Sequence, residues 1–149
     1  MTELFASFYD TLFGIWNQNF PLIFSTLFDY GGYLKLGMLF LLVPLFWWLL
    51  FYYAWRYPYG RFWHWLLWLV LSAVVVFACS YGLAHSEIFA SGNQALTDAL
   101  NDPESGYQAY ASGLPVQYAW VNTGSAVVLG FIYSLIMKQF SKIQMHLPF

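Results

Sequence analysis

Two apolar runs, residues 36–55 and 63–84, carry no charged side chain, and a short polar hinge at residues 56–62 separates them. At about 1.5 Å of rise per residue, 20 and 22 residues of helix each cover roughly the 30 Å of a bilayer's hydrocarbon core. Both runs are expected to be membrane spans. The hinge, with Arg56, Pro58, Gly60 and Arg61 between aromatic flanks, has the composition of a helical hairpin turning in the headgroup layer. A third run, residues 119–137, is just long enough to cross.

Pattern separates the remaining segments. Placed on a helical wheel at about 100° per residue, residues 1–19 divide into an apolar half (Leu4, Phe5, Phe8, Tyr9, Leu12, Phe13, Ile15, Trp16) and a polar half that includes Ser7, Asp10 and Gln18. The polar half makes a crossing costly, so a helix lying in the interface, within the mature fold, is expected. Residues 20–28 are too few to cross and begin with Pro21 at a position helices accept, which predicts a short interfacial or re-entrant helix closed by the turn at residues 29–32. Pro44 near the middle of the first span predicts a kink.

Residues 85–118 read as a loop with four acids and no Lys or Arg. Ser91 with Gln94 resembles a capping box, and Asp102-Pro103-Glu104 resembles a second helix start, so short helices are expected in this loop. Residues 138–149 form a tail in which lysines alternate with apolar residues. The expected fold is therefore an all-α membrane protein with three transmembrane helices, an amphipathic N-terminal interfacial helix and short helices in the outer loop.

Within the spans, small and polar residues form the features most open to a functional reading. In the third, Asn122, Ala126, Gly130 and Ser134 recur every four residues and share one face. The stripe either packs closely against the second span or lines a pore made by several copies. In the second span Ala78 and Gly82 give a small face suited to close helix approach.

Charge sets an orientation. Arg56 and Arg61 in the hinge lie on the same side as Lys138 and Lys142, with two crossings between them, and Lys35 alone is opposite. The positive-inside rule makes that side cytoplasmic, giving an N-out, C-in protein of a bacterial inner or plasma membrane. His64 belongs to the cytoplasmic interface with these basic residues.

Composition narrows the function classes. With 8% charged and 60% hydrophobic residues the chain is of the membrane class, and a net charge of −2 offers no footprint for nucleic acid. The single Cys79 falls inside a span, so no disulfide framework exists. No catalytic residue, cofactor site or metal site is expected: His64 and His85 lie a membrane thickness apart, His146 brings no acid beside them, and no nucleotide, zinc or nucleophile motif occurs. His85 with Glu87 reads as a solvated pair. Apart from His64 at the boundary of the second, the spans hold no acid, base or histidine of the kind ion-coupled carriers place in the membrane. The expected partners are the lipid bilayer and other membrane subunits, and the expected function is a small non-catalytic anchor or scaffold in a larger complex. A homo-oligomeric pore lined by the third span is the alternative, and a membrane-embedded enzyme comes third.

Overall fold

The computed structural model describes residues 1–54 and 62–140, and among these every regular element is a helix. Three helices are long and apolar enough to cross a membrane: Gly32–Ala54, Phe62–Phe89 and Tyr107–Phe140. Their 23, 28 and 34 residues correspond to roughly 35, 42 and 51 Å. The first is α3 (Gly32–Leu49), extended by a π-helical turn at Leu50–Ala54; the others are α4 (Phe62–Phe89) and α6 (Tyr107–Phe140). They pack on one another pairwise as a three-helix bundle. Around one end lie α1 (Thr2–Ser7), which passes into a π-helical turn at Phe8–Leu12, α2 (Pro21–Asp29) and α5 (Gln94–Asn101). We refer to this end as the cap.

α6 differs most from the sequence expectation. A helix begins at Tyr107, runs through Gly113 and Pro115, and continues without interruption into the run expected to start at 119. Pro115 removes one backbone hydrogen bond, and its burial against the other helices holds the helix together across the gap. α4 likewise continues to Phe89. Most of the expected 34-residue loop is therefore helix, and the irregular pieces are two short connections on either side of α5.

Local chemistry fixes the cap. Gly31, with φ +71°, closes α2 and opens α3 in a left-handed conformation that glycine adopts without strain. α5 is capped by Asn93, whose side chain accepts from Ala95 N at 3.1 Å, and not by the Ser91–Gln94 box. The turn at Gly92, φ +75°, puts Asn93 in the cap position, while Ser91 Oγ accepts from Asn93 N at 3.4 Å. Asn93 Nδ2 also donates to Thr26 Oγ1 at 2.8 Å and so joins α5 to α2.

The N-terminal helix ends at Leu12, well short of residue 19, and Gly14 (φ +63°) turns the chain away. Its expected apolar half is divided. Phe5, Tyr9 and Ile15 are buried in the bundle, whereas Leu4, Leu12, Phe13 and Trp16 are exposed. From Phe8 to Leu12 the segment is a π-helical turn, wider than an α turn. Phe5 occupies the space over Gly37, where any Cβ would overlap its ring.

The interior has two parts. The larger surrounds Tyr9, Ile23, Leu36, Val76, Leu96 and Tyr118 at the cap end; the smaller joins Trp48, Phe51, Tyr52, Trp65 and Met137 at the other. Lys35 and Glu87 form an ion pair of 2.7 Å between α3 and α4 near the cap. Deeper in the bundle Trp47 and Trp68 each donate an indole N–H to the other's carbonyl, both at 3.0 Å.

Candidate functional site: a polar seam inside the bundle

The four stripe residues of α6 face inward. Asn122, Ala126, Gly130 and Ser134 are all buried against α3 and α4 of the same chain. Asn122 is the hub of the cap half. Its Oδ1 accepts from Tyr9 Oη at 2.6 Å, and its Nδ2 donates to Ser80 Oγ at 2.9 Å and to the Leu36 carbonyl at 3.2 Å. One side chain thereby joins the N-terminal segment, α3, α4 and α6. A buried amide left unpaired costs about 1–3 kcal/mol, so this fourfold junction specifies one packing register.

Two turns below, the helices approach too closely for a side chain. A Cβ on Gly130 would lie 2.7 Å from Trp48 Nε1 and 3.3 Å from Leu69 Cδ1. One turn further, Ser134 Oγ accepts from Trp65 Nε1 at 2.7 Å and lies 2.7 Å from Tyr52 Oη. The stripe is thus a seam of two polar junctions separated by a close-packed small-residue contact.

The partner face on α4 is not the one expected. Ser72, Val76, Ser80, Ala84 and Ile88, again spaced by four, are its buried residues, together with Trp65. Ala78 and Gly82 are exposed, and a Cβ on Gly82 would meet nothing within 4 Å. Two residues of helix turn about 200°, so a face centred on Ser80 necessarily turns Ala78 and Gly82 outward.

The residues expected at the opposite interface are only partly described. His64 is exposed at the start of α4 and Lys138 is half-buried near the end of α6, on the same end of the bundle as the Trp65–Ser134 bond. Arg56, Arg61 and Lys142 lie outside the described residues, as does His146. His85 stacks on Phe89 with ring centres 4.7 Å apart, and Glu87 is engaged by Lys35. Among the described residues no group of three His, Cys, Asp or Glu side chains gathers where a metal could be held.

Asp10 is the residue whose role the wheel misplaced. Both carboxylate oxygens accept from Tyr33 Oη, at 2.8 and 3.0 Å, so Asp10 turns toward the protein. Burial pushes its carboxyl above the usual 3.8, and the Tyr33 hydrogen bond opposes that rise. The rings of Tyr9 and Tyr118 meet edge-on at 5.2 Å, and Tyr9 stacks on Tyr33 at 6.0 Å, continuing the cluster toward Asn122. Within the cluster Tyr9 donates to Asn122 and Tyr33 donates to Asp10, while the Tyr118 hydroxyl is buried without a hydrogen-bond partner among the described residues. The Asp10–Tyr33 contact is a carboxylate–phenol hydrogen bond, and it ties the N-terminal segment to α3.

Outside the seam, the bundle's surface is apolar. Trp120, exposed on α6, stands between two grooves. One of about 570 Å³ runs between Phe8, Phe40 and Gly124, Val128; the other, about 360 Å³, runs between Ala73, Phe77 and Thr123, Val127.

Comparison with protein-family models, curated proteins and solved structures finds no match for this chain. The fold is that of a helical protein with three helices long and apolar enough to cross a membrane.

Proposed function

We propose that this chain is a small integral-membrane subunit that anchors or scaffolds a larger membrane assembly and has no catalytic activity of its own. The observation that carries the reading is the division between inside and outside. Asn122 and Ser134 of α6 make their hydrogen bonds inside one chain, while the outer faces of α4 and α6 are apolar, grooved beside Trp120 and small at Ala78 and Gly82. In lipid, where no hydrophobic drive joins helices, small residues and shape complementarity are what a partner helix uses. The partners are the bilayer and other membrane subunits, in an N-out, C-in orientation in a bacterial inner or plasma membrane, with the N-terminal segment and α5 at the outer interface.

A homo-oligomeric pore has less support. Its lining was to be the α6 stripe, and those four residues are covered by α3 and α4 of their own chain.

Purification of the tagged chain in mild detergent, followed by native mass spectrometry, tests the proposal. Other polypeptides are expected at a fixed stoichiometry, and Gly82→Leu on the outer face of α4 is expected to release them without changing the unfolding temperature. A ring containing only this chain that conducts ions in a planar bilayer would overturn it.

A further inference from the structure

A second feature of the cap has no part in the anchor reading. Beside the N-terminal segment, at the cap end of α6, lies an open cleft of about 520 Å³, within the size range of small-molecule sites. Its polar wall is made of amides, Asn17, Gln18 and Asn19 from the loop and Gln117 from α6, and its aromatic walls are Trp16 and Tyr110. None of its lining residues is charged.

The loop is held in shape from both sides. Ile15 N donates to the Tyr9 carbonyl at 3.3 Å, and Tyr110 Oη donates to the Ile15 carbonyl at 3.1 Å. Asn19 N donates to Asn17 Oδ1 at 3.0 Å, Phe20 N donates to the Asn17 carbonyl at 3.2 Å, and the Phe20 ring stacks on Tyr110 at 4.3 Å. Such pinning lowers the ordering cost of binding. By contrast, the side-chain amides of Gln18, Asn19 and Gln117 make no hydrogen bond within the described chain, and Trp16 leaves 47% of its surface open.

We infer that this cleft binds a neutral saccharide, as a free sugar or as the headgroup of a glycolipid. Each amide offers an acceptor and two donors, which matches hydroxyl groups that both donate and accept. An exposed indole supplies a flat apolar surface for the C–H face of a sugar ring. The absence of charge in the lining disfavours phosphates, carboxylates and amines, which would leave water for a site without a counter-charge. Residues 13–19 and α6 reach this cleft at the cap end, where the bundle leaves the membrane, so both a dissolved sugar and a lipid-borne one have access.

The test uses the full chain in nanodiscs. In one arm it is applied to a printed array of glycans, and hits are titrated as free sugars by saturation-transfer NMR; in the other, the nanodiscs contain a glycolipid with a neutral disaccharide headgroup, and retained lipid is read by native mass spectrometry. Saturable binding of uncharged glycans is expected in at least one arm, the first indicating a soluble source and the second alone a membrane source. Trp16→Ala and Gln117→Leu, both at exposed positions, are each expected to weaken it tenfold or more, whereas Trp63→Ala at the opposite end of the bundle leaves it unchanged. No binding in either arm, a preference for charged glycans, or wild-type binding by both cleft variants would overturn the inference. These outcomes are read independently of whether partner subunits copurify.

Discussion

The Tyr9 hydroxyl donates to Asn122 Oδ1 over 2.6 Å, between residues 113 positions apart in sequence. This bond fastens the N-terminal segment to the middle of α6, at the point where Asn122 also reaches Ser80 and Leu36. The segment belongs to the bundle's interior as much as to its surface.

Tyr9→Phe keeps the ring and removes the donor, leaving Asn122 Oδ1 buried and unpaired. A loss of about 1–3 kcal/mol in unfolding free energy is expected from the orphaned acceptor. A double-mutant cycle of Tyr9→Phe with Asn122→Leu in detergent, which cancels the bonds of Asn122 to Ser80 and Leu36, should return a coupling of about 0.6 kcal/mol, the average for interhelical bonds in membranes, and at most about 1.7. Additive single effects would show that the bond adds nothing beyond packing.

The three spans are legible in the sequence because charge-free runs of bilayer length have few other uses, and the inward stripe is legible because Asn122, Ala126, Gly130 and Ser134 stand out against apolar neighbours. The face of α4 is not, since a helix apolar all round gives no contrast between the side carrying Ser80 and the side carrying Gly82. Gly113 and Pro115 look like helix breakers to any local reading, yet α6 runs through both, with Pro115 buried. Asp10 and Tyr9 are hidden for a different reason. Their partners, Tyr33 and Asn122, come from distant segments that no local pattern connects to them.

Glycine substitutions should separate inner from outer faces. Gly130→Ala forces a Cβ against the Trp48 indole, an overpacking that costs about 1–3 kcal/mol and outweighs the gain of roughly 1 kcal/mol in helix propensity. At Gly82 and Gly124 a Cβ meets nothing within 4 Å, so only the propensity gain remains. Thermal unfolding in detergent should rank Gly130→Ala below wild type, with Gly82→Ala and Gly124→Ala at or above it. A Gly130→Ala variant as stable as wild type would show that α3 and α6 do not approach closely at that level.

Orientation is open to direct measurement. On a Cys79→Ser background, Glu104→Cys beyond the start of α6 and Gln139→Cys near its end place thiols at opposite ends of a helix roughly 50 Å long. In intact cells an impermeant maleimide should label position 104 and spare position 139 until the membrane is opened. Labelling of both before lysis would rule out a crossing by α6, and labelling of 139 alone would invert the orientation.

Asp10 makes stability depend on pH in a direction opposite to that of a salt-bridged acid. Because burial raises its carboxyl in the folded protein above the unfolded value of about 3.8, the folded state holds the proton more tightly than the unfolded state. Linkage then gives a contribution that is fully present below pH 3.8 and is lost as pH rises through the elevated folded value. Above that value Asp10 is a half-buried carboxylate whose hydrogen-bond donor is the Tyr33 hydroxyl. Asp10→Asn keeps an oxygen for Tyr33 Oη and removes the charge, so it should raise the unfolding temperature at pH 7 and flatten its fall as pH rises above 3.8. Tyr33→Phe should do the reverse, because the carboxylate then loses the donor that offsets its burial. Unfolding followed by tryptophan fluorescence at several pH values in one detergent measures all three proteins; an Asp10→Asn variant less stable than wild type at pH 7 would mean that the ionised carboxylate is favourably held, and that a cation reaches it in the folded chain.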